Sequence, residues 1–363
     1  MRKALFSAIL FIGLITCVNA QVRDCFTYDI PFPAKLSFSP DTVSVFIIGD
    51  VMMHRPQLKR DHRMFLHHIA PKMKEADFAV ANMEFPLGGT PYSGYPAFCA
   101  PDYMLEYLAE CGTDVVLTAN NHIFDRGAKG LKRTLEQLRA AGDSLRFTGT
   151  FGSFQESRAT NPLMLEKDGF RIALVNFTYG INGMPSGGFP NVNYMVKDSV
   201  VLAVSRAKEQ KADFIVALPH WGEEYRLRHS KEQQEWAKWL SEQGVDAIVG
   251  SHPHVVQDSS HIGRTAIVYS MGNAVSNMSA KNTRLELAVV LRFVRNCLTG
   301  RKSMIEPELR FMWCTLPGTL TDSYATIFVK DWIGRRQEWK DPSDYDNMIQ
   351  TYERVRKATG IED

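Results

Sequence analysis

The stretch "AIVGSHPHVV", Ala247 to Val256, places His252 and His254 one residue apart directly after an apolar run. Its start reads as a buried strand by its β-branched content. Pro253 favours a turn, and across a turn both imidazoles can face one point, whereas along a strand they would alternate sides. Taken alone, the pair fits loop histidines as well as it fits a metal or acid/base site. The rest of the chain has the same form. "SVFIIGD" (44–50), "FAVANME" (78–84), "DVVLTANNH" (114–122), "RIALVNFTYG" (171–180), "DFIVALPHWG" (213–222), "AIVGSHPHV" (247–255), "TAIVYSMGN" (265–273) and "LELAVVLRF" (285–293) all read as buried strands. Between several of them lie amphipathic stretches, from "HRMFLHHIAPKMKEA" to "SKEQQEWAKWLSEQG", with Gly112, Gly142 and Gly244 where helix stops belong. Strands alternating with helices predict an α/β fold with largely parallel sheets.

In such sheets the carboxyl ends of the strands share one edge, and ligands bind there. Strand after strand ends in a metal-capable or acid/base group: Asp50; Asn82 and Glu84; Asn120, Asn121 and His122; His220 and Glu223; His252 and His254. A single Asp after a strand is usually a turn or cap residue. Four of the ten histidines gathering at strand ends, beside two carboxylates, points instead to a metal or acid/base site. A ligand set of Asp50, Glu84, Asn121, His220, His252 and His254 mixes oxygen and nitrogen without thiolate. That suits Mn²⁺, Fe or Zn²⁺, and two divalent ions sharing a bridging carboxylate would use all six residues. Asp125 stands three residues after His122 and could orient that imidazole on a shared helix face. It is equally placed to serve as a helix-start carboxylate.

The ordered motifs "GDVMMH", "ANMEFPL", "TANNHIFDRG", "HWGEEY", "GSHPHVVQ" and "IVYSMGN" resemble those of the CapA/PgsA-type poly-γ-glutamate capsule-biosynthesis proteins, within the calcineurin-like metallophosphatase superfamily. The resemblance runs from about Ser44 to Phe293. It implies a four-layer αββα sandwich of the metallo-dependent phosphatase type with a dinuclear centre at the strand ends. On the matching positions it implies Asp50 as the first-strand ligand, Glu84 as the bridging carboxylate, Asn121 as the amide ligand and His220, His252 and His254 as imidazole ligands. It implies His122 as the group that protonates the leaving atom, with Asp125 beside it. Met52 stands where superfamily phosphatases usually carry a histidine, Glu84 replaces an aspartate, and Ser251 is inserted in "GSHPH". His54, Asn82, Glu223, Ser270 and Asn273 are candidates for contacting substrate.

The chain begins "MRKALFSAILFIGLITCVNAQ", a basic start, an apolar run and small residues before Gln21. This reads as a signal peptide over residues 1–20, hence export to the periplasm or cell surface, with a lipidated or uncleaved anchor as the alternatives. Residues 21–43 form a lead-in, 44–294 the main domain, and 295–363 strands, expected at a sheet edge, and a helical tail packed on it. "TYGINGMPSGGFPNVNY" (178–194) reads as a long loop over the site. Formal charge is only +2 over 363 residues, which gives no basis for nucleic-acid binding. After Cys17, the cysteines Cys25, Cys99, Cys111, Cys297 and Cys314 are scattered without a CxxC, so one or two disulfides are open. Function narrows to an exported metal-dependent hydrolase of phosphoesterase type serving a capsule or envelope polymer, together with capsule-synthesis partners. Two alternatives stay open: a non-hydrolytic accessory that binds or exports poly-γ-glutamate or another anionic polymer, and a metal-dependent γ-glutamyl amide hydrolase.

Overall fold

The computed structural model of the chain describes residues 41–183 and 187–363. The expected signal peptide, nearly all of the lead-in, Cys17 and Cys25 lie outside the described residues. Seven parallel strands carry the site and are labelled in chain order: β1 (Thr42–Val51), β2 (Phe78–Met83), β3 (Val115–Leu117), β4 (Phe170–Thr178), β5 (Phe214–His220), β6 (Ala247–Val249) and β7 (Asn273–Val275).

Two sheets organise the fold. In the first, β1, β2, β3 and Arg146–Thr148 run parallel, with β7 joined to the end of β1. In the second, β4, β5, β6 and Thr265–Val268 run parallel. The expectation of largely parallel sheets holds only in part. Leu285–Arg295 pairs antiparallel with β1, and Glu308–Thr315 and Ala325–Phe328 continue that pattern outward. Glu308–Thr315 is therefore internal rather than an edge strand. A buried apolar run looks alike in either direction, so the sequence does not reveal this.

Alternation along β1 shows how the layers form. Val43, Val45 and Ile47 join Ile172, Leu174, Val216, Leu218 and Val249 of the second sheet in one core. Phe46 and Ile48 point the other way, into a core with Met73, Leu108, Leu131 and Leu135. Those come from helices α1 (Ala70–Glu75), α2 (Tyr103–Glu110) and α3 (Gly127–Ala140). The far face of the second sheet buries Val200, Val204, Ala237 and Leu240. These belong to α4, which we label for Lys197–Glu209, and α5 (Lys231–Glu242), whose N-terminus is closed by a Ser230–Gln233 capping box. Helix, sheet, sheet and helix make the four-layer αββα sandwich that the resemblance implies. Gly112, Gly142 and Gly244 all take positive φ at or just past helix ends. Cys99, Cys111, Cys297 and Cys314 are all unpaired.

Glu286 is an unexpected interior residue. It is fully buried and neither carboxyl oxygen has a hydrogen-bond partner. Burial lifts its carboxyl well above the usual range, a push that Arg284 opposes and Asp50 reinforces. The folded protein thus keeps a proton that the unfolded chain releases above its ordinary value of 4.5. The stability from that proton is complete below this value and is lost as pH rises toward the folded pKa. Glu286→Gln cannot titrate, so its Tm relative to wild type should climb as pH rises above the ordinary carboxyl value of 4.5 into the neutral range. A difference in Tm that stays flat across that range would contradict a protonated buried Glu286.

Candidate metal centre

The first sheet brings oxygen and amide groups to the shared edge. Asp50 ends β1 where Gly49 lies against Gly272; a Cβ on Gly49 would sit 1.9 Å from the Gly272 carbonyl oxygen, so only glycine permits this approach. The Asp50 carboxylate is a hub. Oδ1 accepts from Asn82 Nδ2 at 2.6 Å, and Oδ2 accepts from the His252 backbone N–H at 3.2 Å. His254 Nδ1 lies 3.4 Å from Oδ2, and His220 Nδ1 lies 3.9 Å from Oδ1. Burial would raise the Asp50 carboxyl, but the imidazoles of His254 and His220 and the Asn82 amide outweigh it and lower its pKa. Glu84 follows β2. Its two oxygens are buried with no hydrogen-bond partner, and Oε1 is 3.7 Å from His220 Nε2. Burial, then the charges of Asp50 and Glu224, hold its carboxyl well above the usual range.

The second sheet supplies imidazoles. His220 closes β5, with Nε2 2.9 Å from Asn121 Oδ1 and Nδ1 3.0 Å from Ser251 Oγ. The turn after β6 holds His252 at φ 99° and His254 at φ 57° around Pro253. Two left-handed non-glycine residues each cost on the order of 1–3 kcal/mol. The result is the shared direction that the turn suggests: the two rings lie 5.9 Å apart and both are buried. His252 Nδ1 has no partner, while His254 Nδ1 meets Asn273 Oδ1 at 2.8 Å. Burial depresses His220 to about 3 and His252 well below the usual imidazole range, so both stay neutral. Burial also opposes charge on His254, but the Asp50 carboxylate prevails and raises it.

Ligand-capable atoms of Glu84, His252 and His254 fall within 4.8 Å of one another. A buried carboxylate and imidazole without partners are what a divalent cation would satisfy. The residues present therefore fit such an ion. Beside them, His122 Nδ1 is 2.7 Å from Asp125 Oδ2, which also accepts from the Phe98 backbone N–H at 2.7 Å. Asp125 thus faces the imidazole rather than only ending a helix.

The remaining candidates divide. Asn82 is buried and ties Asp50 to His220, its Nδ2 lying 3.3 Å from His220 Nδ1, so it positions ligands. Asn273 holds His254 and donates to the Thr283 carbonyl at 2.9 Å. Ser270 is buried, its hydroxyl donating to the Val255 carbonyl, and lies behind the centre. His54 sits among Gln57, Phe98 and the Asn277 backbone N–H, and burial lowers it to about 4. Glu223 is exposed beside Arg226, whereas its neighbour Glu224 is the carboxylate that bears on Glu84 and His254. Met52 is buried in the core beneath β1. Ser251, Tyr179 and Asn182 join the site without a ligand signature of their own. Tyr179 packs on His252 with ring centroids 4.5 Å apart, and Asn182 Nδ2 reaches 3.2 Å from His122 Nδ1.

Fold and donor set together define an αββα sandwich with a metal-capable centre at its strand ends. The family described as Bacterial capsule synthesis protein PGA_cap matches residues 44–278. The chain belongs to that family. It is 29% identical over 259 residues to "Capsule biosynthesis protein CapA" of Bacillus anthracis, covering 67% of this chain and 62% of that protein. It is 28% identical over 282 residues to "PGA biosynthesis protein CapA" of Bacillus subtilis (strain 168), covering 74% and 72%. The chain thus spans less than two thirds of the Bacillus anthracis relative. Among solved structures, one provisionally assigned as a 5'-nucleotidase from Staphylococcus aureus, in complex with α-ketoglutarate, aligns with TM-score 0.52 and 14% identity over 74% of this chain and 54% of that one. The likeness is one of fold.

Metal uptake should displace the proton held by Glu84, so calorimetric titration with Mn²⁺ or Zn²⁺ in buffers of different ionisation enthalpy should report net proton release. An ion present at a hundredfold its Kd adds about 2.7 kcal/mol to stability. Wild type should gain several degrees in Tm, and His252→Ala should lose both that gain and most of its metal by elemental analysis. A wild-type protein that takes up no metal would overturn the centre.

Proposed function

We propose that the protein is an exported metal-dependent hydrolase of phosphoester type, acting in the biosynthesis of a capsule or other envelope polymer. One observation carries the reading: a buried imidazole–carboxylate pair, His122 with Asp125 at 2.7 Å, stands beside a ligand cluster whose Glu84 and His252 lack partners. Asp50, Glu84, Asn121, His220, His252 and His254 would hold the divalent ions, with Glu84, His252 and His254 offering ligand atoms within 4.8 Å of one another. When bound, such ions polarise the ester oxygens and water at neutral pH. The chain's own part is positioning and proton handling. His122 donates Nδ1–H to Asp125, which fixes the ring and leaves Nε2 to give a proton to the departing oxygen. Asn82 and Asn273 hold Asp50 and His254 in place through hydrogen bonds. Export rests on the basic start and apolar run before Ala20.

Met52 favours a second reading. It is 2% exposed and packed in the core where the resemblance has a histidine, so it gives the Asp50 side no nitrogen ligand. A centre short of one ligand could hold an anionic polymer, such as the product of capsule synthesis, without cleaving it.

Purified protein with Mn²⁺ should hydrolyse an aryl phosphodiester or monoester. His122→Ala should lose about 10²–10⁴-fold in kcat while keeping its metal. Metal bound with no turnover of any ester would sink the hydrolase and leave the accessory role. Mass spectrometry of a γ-glutamyl polymer after incubation separates amide cleavage from both.

A further inference from the structure

The mouth of the centre is ringed by exposed tyrosines. Tyr95 is 73% exposed, Tyr179 45% and Tyr225 44%. Each ring stands against a different histidine of the site: Tyr95 is 6.5 Å from the His122 ring, Tyr179 4.5 Å from His252, and Tyr225 6.3 Å from His254. Large aromatic faces left in water around a polar centre mark a binding surface rather than a core defect. From these positions we infer that the tyrosine rim is a saccharide subsite, taking a neutral sugar ring of the molecule whose ester reaches the centre. This rests on the hydrolase reading and adds the substrate class.

The rim is built, not incidental. Tyr225 holds φ 65°, unusual for a bulky residue, and is fixed there by its N–H donating to the Pro253 carbonyl between the two histidines. Tyr179 is anchored by its N–H to the His220 carbonyl. The Tyr95 loop is pinned at Gly94, where a Cβ would come 2.2 Å from the Arg55 backbone nitrogen, and by paired backbone hydrogen bonds between Ser93 and Cys99.

The chemistry of the rim selects the ligand. No ring contact joins any two of these tyrosines among the described residues, so they offer single faces, not the parallel pair that would sandwich a flat base. A saturated sugar presents C–H faces to single aromatic rings and hydroxyls at its edge. Glu224 is exposed next to Tyr225, its charge is felt at Tyr179, Glu84 and His254, and its carboxylate can accept from those hydroxyls. The same carboxylate repels an anionic chain. Of the arginines around this rim, Arg226 lies by Glu223 and Arg228 by Asp258, Arg126 donates to the Pro91 carbonyl, and Arg55 lies against the Tyr95 loop at Gly94.

Two measurements test this. With Mn²⁺-loaded protein, kcat/KM for a glucosyl phosphodiester should exceed that for a ringless glycerol phosphodiester. Tyr95→Ala and Tyr225→Ala should each cut that preference about tenfold, and Tyr225→Phe should keep it. Independently of turnover, saturation-transfer NMR should show a neutral glucose trisaccharide binding the wild type, with the signal weakened in both alanine variants. If no ester is hydrolysed but the trisaccharide binds and the variants weaken it, the hydrolase reading fails and the subsite stands. No saccharide signal, equal use of the two diesters, or transfer to a glutamate oligomer instead would overturn the subsite.

Discussion

A carboxylate taken out of water without a partner is among the costliest features a fold can carry, and Glu84 is one. Its surroundings answer that constraint. Asn120 and Asn82 turn their amides to neighbouring backbone and side chains, and Asp50 is already engaged with Asn82 and His252, so among the described residues no hydrogen bond satisfies the Glu84 oxygens. His252 Nδ1 is left in the same state across from it. The flanking cores fix both groups in place, because moving either would mean shifting strands that are buried on both faces.

Neutral imidazoles follow from the same burial. His220 and His252 are held uncharged, the form in which nitrogen can ligate, while His254 is drawn toward charge by Asp50. His122 stands apart: its partner is a carboxylate held by the Phe98 backbone. Four histidines of similar burial thus differ in the neighbour of each ring: Asp125 for His122, Asp50 for His254, and Asn121 with Ser251 for His220.

Much of this was legible in the sequence, for a physical reason. An apolar run long enough to be a strand, followed at once by Asp, Glu, Asn or His, announces both the strand and the edge it reaches, and Asp50, Glu84, Asn121, His220, His252 and His254 do converge. Layer order was not legible from periodicity; it came with the resemblance. Strand lengths were overread where polar residues continue the run: β3 stops at Leu117 and β6 at Val249, because the next residues must leave the sheet to aim their side chains. Sideways contacts were also hidden. That Asn82 ties ligands together, or that Glu224 rather than Glu223 bears on the centre, depends on register and on the φ of Tyr225. Glu286 looks like any polar residue in an alternating strand; its burial depends on its pairing with Met312 of Glu308–Thr315 and on the core that its neighbours Ala288 and Val290 face.

The ligand donors divide by sheet: Asp50, Glu84 and Asn121 come from the first, His220, His252 and His254 from the second. An ion held by donors of both halves would act as a rivet through the seam, resisting separation of the two sheets in shear as well as in tension, and its loss would report a loosening of that seam. Retention of metal would gauge the mechanical integrity of the whole sandwich, not merely the health of its edge.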